Sequence, residues 1–497
     1  MSTDTATFEP PGPGGWVLLA DHFPGALTAE YRRIYCETCP PGMASYMERY
    51  GVLAKTLDVA FVHGHLYITP VPLAGPREMK RPPPRAAIWL LARLHPTFRK
   101  RTRAAQRALE ERPWRAVARH WFETERFEWR DRNEQLQAVE PLTLSNAELT
   151  EHLATCRAHL VSGYRRHFDL HGDDLLPVGL LIARCAEWFL DPTVTMQALG
   201  GAAHAFPREE PADWAMVTGY DLDNRAWIEL ENRPAPHGDG RAEPAFDLHA
   251  LVPAEHHEEL DGLLADARAA EPLRDDNGLL TGAWPMGLLR RAMLAAGNRL
   301  DFGEPDLAVE LTVAELRAAL RPEPAPTEVD ARDRRAERAR QSALPTPLWL
   351  GPEFAIPPLD ALPRPLALIG AAQLAASDNM VGKSGAVGIG DEPYTGRALV
   401  VDDAAAALDL MQPGDVVVTT ATSVTWNAVL LHAGALVTAT GGLISHAAVI
   451  ARELELPTVV GDRTAPTRFR TGDVVTVDPA NVRVTTAGAV SPARPGA

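Results

Sequence analysis

A Thr-Gly-Gly turn that runs into a Ser-His pair and then an apolar helical stretch is the part of this sequence best suited to covalent chemistry. Residues Thr440 to Glu453 read TGGLISHAAVIARE. Gly441 and Gly442 permit backbone dihedrals and close approaches that other residues cannot make. His446 then falls in the first turn of a helix, where backbone N–H groups lack intrahelical partners and the macrodipole is positive. Such a place suits an anion, above all a phosphoryl group. Imidazole is a nucleophile near neutral pH and can carry that group covalently. Thr440 or Ser445 can hold one ring nitrogen, fixing the tautomer and leaving the other nitrogen free. The plainer alternative is a histidine that only satisfies a helix start.

Other residues of reactive type are more scattered. Arg452 follows His446 by six positions, nearly two turns along the same helix, so it either meets the phosphate or anchors the helix. Arg290, Arg291 and Arg299 can neutralise charge on a transferred phosphoryl group, or serve as exposed helix charges. His22, His63 and His65 are candidate bases for an acceptor, with turn or surface roles as the alternative. Trp89, Trp114, Trp121 and Trp129 lie in helical sequence, as core or as an aromatic substrate wall. Cys36 and Cys39 form a CxxC, but Cys156 and Cys185 stand apart and no second pair completes a zinc site, so no metal is expected. VGKSG at 381–385 lacks a P-loop's first glycine, since Ser377 stands there.

The 497 residues, 23% of them charged, give enough chain for two or three domains and a sizeable core. A net charge of -16 argues against nucleic acid as a partner. Thirteen Arg or Lys between Arg77 and Arg119 face only Glu78, Glu110 and Glu111; they are solvated helix faces, or a local anion or partner surface. The N-terminal MSTDTATFEPPGPGG has no signal-peptide pattern, and the uncharged run from Val429 to Ala451 is too broken by Gly, Ser, His and Thr to be a membrane span. A cytoplasmic protein without a membrane partner is expected.

The expected fold is multidomain α+β. The first seventy-odd residues read as turns and short apolar runs, VAFVHGHLYI being strand-like; from about Pro76 to Leu320 the pattern is helical. Capping boxes at Ser145–Glu148 and Thr312–Glu315 mark two helix starts. PEPAPTEVDARDRRAERARQ and PEFAIPPLDALPRPL read as a charged, proline-rich linker or strap. After about Ala386, RALVV, DVVVTT, ALVTAT, PTVVG, DVVTVD and VRVTT read as short strands, with helices from about Val424 and Ser445. The boundaries drawn are 1–345, mostly helical; 346–386, linker; and 387–497, a compact α/β domain.

TGGLISHAAVIARELELPTVVG resembles the phosphohistidine swivelling domain (a β/β/α fold) of the phosphoenolpyruvate-utilising enzymes. GIGDEPYTGRALVV is similar to that domain's opening strand, GDVVVTTATSVTW to the segment before its first helix, and GDVVTVD to its closing strand. The likeness covers about Val387 to Gly488. Upstream, WVLLADHFPGALT, Tyr50-Gly51 and VHGHLYI resemble the start of the acceptor-binding domain of the rifampicin phosphotransferases. LLRRAMLAAGNRLDFGEPDLAVELTVAELRAAL resembles the end of the same domain.

The resemblance implies that His446 is the phosphorylated residue, within a motif of Thr440, Gly441, Gly442, Ser445 and Arg452. Residues 1–345 would then bind a small-molecule acceptor. Neither an ATP-grasp domain nor a phosphoenolpyruvate-binding barrel is read in the chain. The expectation is that ATP and Mg2+ act on a separate ATP-grasp subunit, the division seen in the related phenylphosphate synthase. Phosphate would pass from ATP to His446 and on to a hydroxyl or carboxylate, with AMP and phosphate as co-products. The competing expectation is a non-catalytic binding or regulatory protein that keeps the fold. Two positions depart from the family pattern: Glu455 stands where glycine is usual after the motif helix, and Pro479 where VDG is usual.

Overall fold

The computed structural model describes residues 6–19, 23, 25–78, 84–199, 222, 247–321, 323–352, 357–381, 385–422 and 426–486. The chain is α+β and divides into two compact units. The larger holds the described residues up to Asp191, Leu222, and those from Leu248 to Ala376; the smaller holds those between Pro192 and Leu199, Asp247, and those from Ser377 onward.

The larger unit begins with strand β1 (Trp16–Leu18), helix α1 (Ala29–Tyr50) and strands β2 (Ala54–Val62) and β3 (His65–Pro72). Helices α2 (Arg85–Leu94), α3 (Pro96–Glu111), α4 (Trp114–His120), α5 (Arg126–Gln137), α6 (Asn146–Asp174) and α7 (Leu176–Glu187) follow. After α8 (Pro192–Leu199), which groups with the smaller unit, it resumes with α9 (His257–Asn277), α10 (Trp284–Arg299), α11 (Val313–Leu320) and α12 (Glu328–Ser342). Strand β4 (Trp349–Leu350) and helix α13 (Arg364–Val381) as far as Ala376 complete it. The four strands form one antiparallel sheet in the order β2-β3-β1-β4. The core is helical: Tyr31 and Ile34 of α1, Leu149, Leu153 and Leu160 of α6, and Trp284 and Leu289 of α10 are wholly buried.

The capping boxes form as read, with Glu148 N–H donating to Ser145 Oγ at 3.3 Å and Glu315 N–H to Thr312 Oγ1 at 3.2 Å. Two segments differ from expectation. Within the first seventy-odd residues, read as turns and short apolar runs, helix α1 runs unbroken across Pro40 and Pro41. Its buried tyrosines supply packing that outweighs the lost helix bonds, and Thr56 Oγ1 donates to the carbonyl of Pro40. It also carries Cys36, exposed, and Cys39, buried, both as free thiols. The expected linker is folded chain. Charged α12 docks through Arg334 to Glu315 at 2.8 Å and Arg338 to buried Glu310 at 2.6 Å. β4 pairs with β1, and α13 buries Leu366, Ile369 and Ala372 completely. Charge and proline made these segments read as solvated; internal ion pairs and an apolar face fold them.

At the C-terminal end of α6 the carboxylates are buried beside α1. Arg49 donates to Asp169 at 3.0 Å and to Asp173 at 2.9 Å, and Tyr50 Oη donates to Asp173. Burial lifts Asp173 to about 6 against the pull of Arg49. The folded state therefore holds this proton more tightly than the unfolded chain, so the stabilisation is full below the unfolded value of 3.8 and is lost as pH rises through about 6. That displacement corresponds to about 3 kcal/mol. Urea titrations from pH 4 to pH 7 should show the wild type losing about that much relative to Asp173→Asn; parallel curves would refute it.

The smaller unit has β5 (Val387–Ile389), β6 (Tyr394–Val400), α14 (Ala404–Leu410), β7 (Val416–Thr419), α15 (Asn427–Leu430) and β8 (Ala435–Thr438). It continues with α16 (His446–Glu453), β9 (Thr458–Val460), α17 (Ala465–Arg468), β10 (Val474–Asp478) and β11 (Arg483–Thr486). One sheet runs β11-β10-β6-β7-β8-β9-β5. Strands β6 to β9 are parallel, and β5, β10 and β11 pair antiparallel. The central strands are apolar on both faces, as a covered parallel sheet requires: Val416, Val417, Val418 and Ala435, Leu436, Val437 are all buried.

Candidate functional site: the histidine turn of the smaller unit

Parallel strands bring the loops that follow them to one edge of the sheet. The loop after β7 thus lies beside the loop after β8, joined by Thr440 N–H and Thr440 Oγ1 donating to the carbonyl of Thr420, each at 3.0 Å. The turn out of β8 is set by Gly441 at φ +103, where a Cβ would lie 2.8 Å from Ser445 Oγ. Ser445 caps α16: its Oγ donates to the carbonyl of Gly442 at 2.7 Å and accepts from Ala448 N–H at 3.4 Å. His446 is the first residue of the helix, half-buried.

Both nitrogens of His446 are engaged. Thr422 Oγ1 lies 2.9 Å from Nδ1, and Asn427 Oδ1 lies 2.8 Å from Nε2. With the amide oxygen accepting, Nε2 carries the proton and Nδ1 accepts from the Thr422 hydroxyl; turning the Asn427 amide over reverses the tautomer. A nucleophilic nitrogen needs its lone pair, so reaction at either nitrogen requires one of these two bonds to open. Neither Thr440 nor Ser445 holds the ring, contrary to expectation. Thr440 ties the two loops, and Ser445 caps the helix. Thr422 and Asn427 were missed because they are 24 and 19 positions from His446. The parallel order of β7 and β8 was the signal that could have found them.

The other candidates are dispersed. Arg452 is buried near the end of α16, away from its N-terminal turn. Arg290 is buried in α10 and donates to the carbonyl of Leu222 at 2.7 Å. Arg291 donates to the carbonyl of Gln137 at 2.8 Å and to Glu140 at 2.6 Å. Arg299 donates to the carbonyls of Leu142 and Leu144 at 3.2 and 2.6 Å. These arginines fasten α10 to neighbouring segments. His63 sits at the tip of the β2–β3 hairpin with φ +47, its Nε2 3.1 Å from the carbonyl of Thr7. His65 Nε2 is 2.9 Å from the carbonyl of Gln341. His22 lies outside the described residues, as do Gly382 to Ser384 of the VGKSG stretch. Trp114 and Trp121 are core, whereas Trp89 is 50% exposed.

Glu455 takes φ +51 after α16, the left-handed conformation that glycine favours. Leu456 N–H returns to the carbonyl of Ala451 at 2.9 Å and Glu455 N–H to that of Arg452 at 3.5 Å, the pair of bonds of a Schellman cap. The motif helix therefore ends in the glycine geometry without the glycine. Glu455→Gly is expected to stabilise the smaller unit by about 1 kcal/mol through relief of that backbone cost. An unchanged or lowered denaturation midpoint would contradict this.

Residues 411–481 match the family model described as PEP-utilising enzyme, mobile domain. An uncharacterised phosphotransferase of Bacillus subtilis is 43% identical over 91 residues, 18% of this chain and 11% of that protein. The phosphoenolpyruvate synthase of Aquifex aeolicus is 43% identical over 91 residues, 18% of this chain and 10% of the relative. The chondramide synthase of Chondromyces crocatus is 36% identical over 149 residues, 29% of this chain and 4% of its own length. The chain thus spans about a tenth of the length of the first two curated relatives. Among the described residues no helix is long and apolar enough to cross a membrane. The segment that holds the histidine turn, residues 411–481, is thus a mobile domain of the kind found in the phosphoenolpyruvate-utilising enzymes.

Proposed function

We propose that the smaller unit carries a phosphoryl group on His446 and delivers it to a small-molecule hydroxyl or carboxylate bound by the larger unit. The observation that carries this reading is His446 at the first position of α16, with Thr422 and Asn427 on its two nitrogens. A ring oriented at both nitrogens beside a positive helix end is arranged for phosphoryl attachment, and release of one bond exposes the nucleophile. In the first step the nitrogen attacks phosphorus and a P–O bond of ATP breaks; in the second the acceptor oxygen attacks phosphorus and the P–N bond breaks. One phosphate of ATP reaches the acceptor, water takes the other, and AMP remains. A separate ATP-grasp subunit with Mg2+ performs the first step.

The support from relatives is that two of them are named as a phosphotransferase and a phosphoenolpyruvate synthase. Glu455, one of the two departures from the family pattern, leaves the cap of α16 intact. The test is to incubate the protein with an ATP-grasp partner and phosphate-labelled ATP, then look for acid-labile label on His446 together with AMP. No label on the wild type, or equal label on His446→Ala, would sink the reading.

A further inference from the structure

Most surface helices bury an apolar stripe and turn charge outward. Helix α2 of the larger unit does the reverse. Ile88 and Ala92, one turn apart, are its buried residues, and it packs against α3 and the turn at Leu359–Ala361. The opposite face carries Ala86, Ala87, Leu90 and Leu94, all exposed, with Trp89 and Leu91 at its margins. Trp89, Leu90 and Leu94 are 50, 51 and 65% exposed. Arg93 lays its guanidinium over the Trp89 ring at 4.2 Å from the centroid. An exposed, continuous apolar face of this kind marks contact with another body.

The charges next to it are basic. Arg99, Arg103 and Arg107 recur every fourth residue on the exposed side of α3, and none is ion-paired among the described residues. The neighbouring cations are already taken up: Arg77 by Asp58, Arg85 by Asp360, Lys100 by Glu48, and Arg112 and Arg115 by buried Asp266. Arg101 is buried. Of the acids in this stretch, Glu78 accepts from Gly14 N–H at 3.3 Å, and Glu110 and Glu111 stand at the far end of α3. The net charge of -16 belongs to the chain as a whole. At physiological salt, charges more than about 8 Å away are largely screened, so the local arginine stripe decides what approaches α2.

We propose that the apolar face of α2, with the arginine stripe of the adjoining α3, docks the larger unit on an anionic lipid surface. This goes beyond the carrier reading of His446, does not depend on it, and reverses the expectation that no membrane takes part. The 10 residues of α2 are about half of what a membrane span needs, so the helix lies in the interface and does not cross it. Leu90 and Leu94 enter the acyl boundary, Trp89 and Arg93 sit at headgroup level, and the α3 arginines meet lipid phosphates. Charge complementarity selects the anionic surface. A bilayer also asks only for apolar insertion beside positive charge, which is what this face offers. A protein partner needs polar groups to fix its register, and Ala86, Ala87, Leu90 and Leu94 supply none; leucine is also under-represented among residues that anchor protein interfaces.

The test is flotation of the full chain with vesicles of phosphatidylcholine containing about one third phosphatidylglycerol, set against pure phosphatidylcholine. Wild type is expected to float with the anionic vesicles at low salt and to be released at about 1 M salt, where the screening length is about 3 Å. Leu90→Glu combined with Leu94→Glu should weaken partitioning about tenfold or more. Replacing Arg99, Arg103 and Arg107 by Gln should weaken it about fivefold per residue, about a hundredfold together. Brominated lipid should quench part of the tryptophan emission, and Trp89→Phe should remove that quenching. All the substituted side chains are exposed, so circular dichroism should match wild type. Failure of wild type to float, equal flotation of the Glu variants, or quenching that persists in Trp89→Phe would overturn the proposal. A wild-type dimer that Leu90→Glu with Leu94→Glu turns into a monomer, without vesicle binding by either, would assign the face to a second copy instead and overturn it too.

Discussion

His446→Ala is expected to abolish acid-labile phosphate uptake, by about 10³-fold or more relative to wild type, because the covalent route loses its only nucleophile. The fold should survive, since His446 is half-buried at the helix start and Ser445 still caps α16. Circular dichroism and the denaturation midpoint should therefore stay near wild type, which separates lost chemistry from lost structure. Replacing the residues that hold the ring should have smaller and distinct effects. Thr422→Val removes the partner of Nδ1, leaves Nε2 held by Asn427, and should slow loading by roughly ten- to a hundredfold. Retention of label in His446→Ala would place the phosphate elsewhere and remove the reason for assigning any role to these two neighbours.

Gly441→Ala should be the most damaging small substitution in the turn. At φ +103 a side chain is strained by about 1–3 kcal/mol. The added Cβ would also stand 2.8 Å from Ser445 Oγ and 3.0 Å from its Cβ, so the capping serine must move. Loss of such a cap costs about 1 kcal/mol. Together these lower local stability by about 2–4 kcal/mol. Hydrogen exchange at the amides of Ala447 and Ala448 should accelerate by roughly two orders of magnitude, since about 1.4 kcal/mol corresponds to a factor of ten. Uptake of phosphate should fall with it, because the displaced serine no longer fixes the start of α16. Unchanged exchange in this helix would show that the turn relaxes without cost.

The smaller unit was largely legible in its sequence because its signals are local. Short β-branched runs such as Val416 to Val418 became strands, and Gly441 with Gly442 marked the turn into the helix that begins at His446. What holds His446 was not legible, because Thr422 and Asn427 reach it through a loop juxtaposition that only the order of strands creates. In the larger unit the misreadings share a cause. Pro40 and Pro41 signal a break, yet Tyr31, Ile34 and Tyr46 bury enough surface to keep α1 helical. The arginines of α12 signal solvent, yet Glu310 and Glu315 receive them. Tertiary partners decided these segments, and they lie too far along the chain for local pattern to name them. Arg290, Arg291 and Arg299 illustrate the same limit: residue type suggested phosphate, while neighbouring carbonyls take their donors.

The antiparallel strands that flank the parallel core also govern how the smaller unit comes into being. β5 finds its partner in β9, and β6 finds one of its partners in β10. Each of those pairings joins positions roughly 75 residues apart, a separation whose loop-closure entropy must be met before any ladder bond rewards it. During synthesis the histidine turn leaves the ribosome before β9 and β10 exist. A nascent chain halted just past Glu453 holds every residue of the motif and not the sheet that shapes it, so reactivity at His446 arises late, as a product of completed topology.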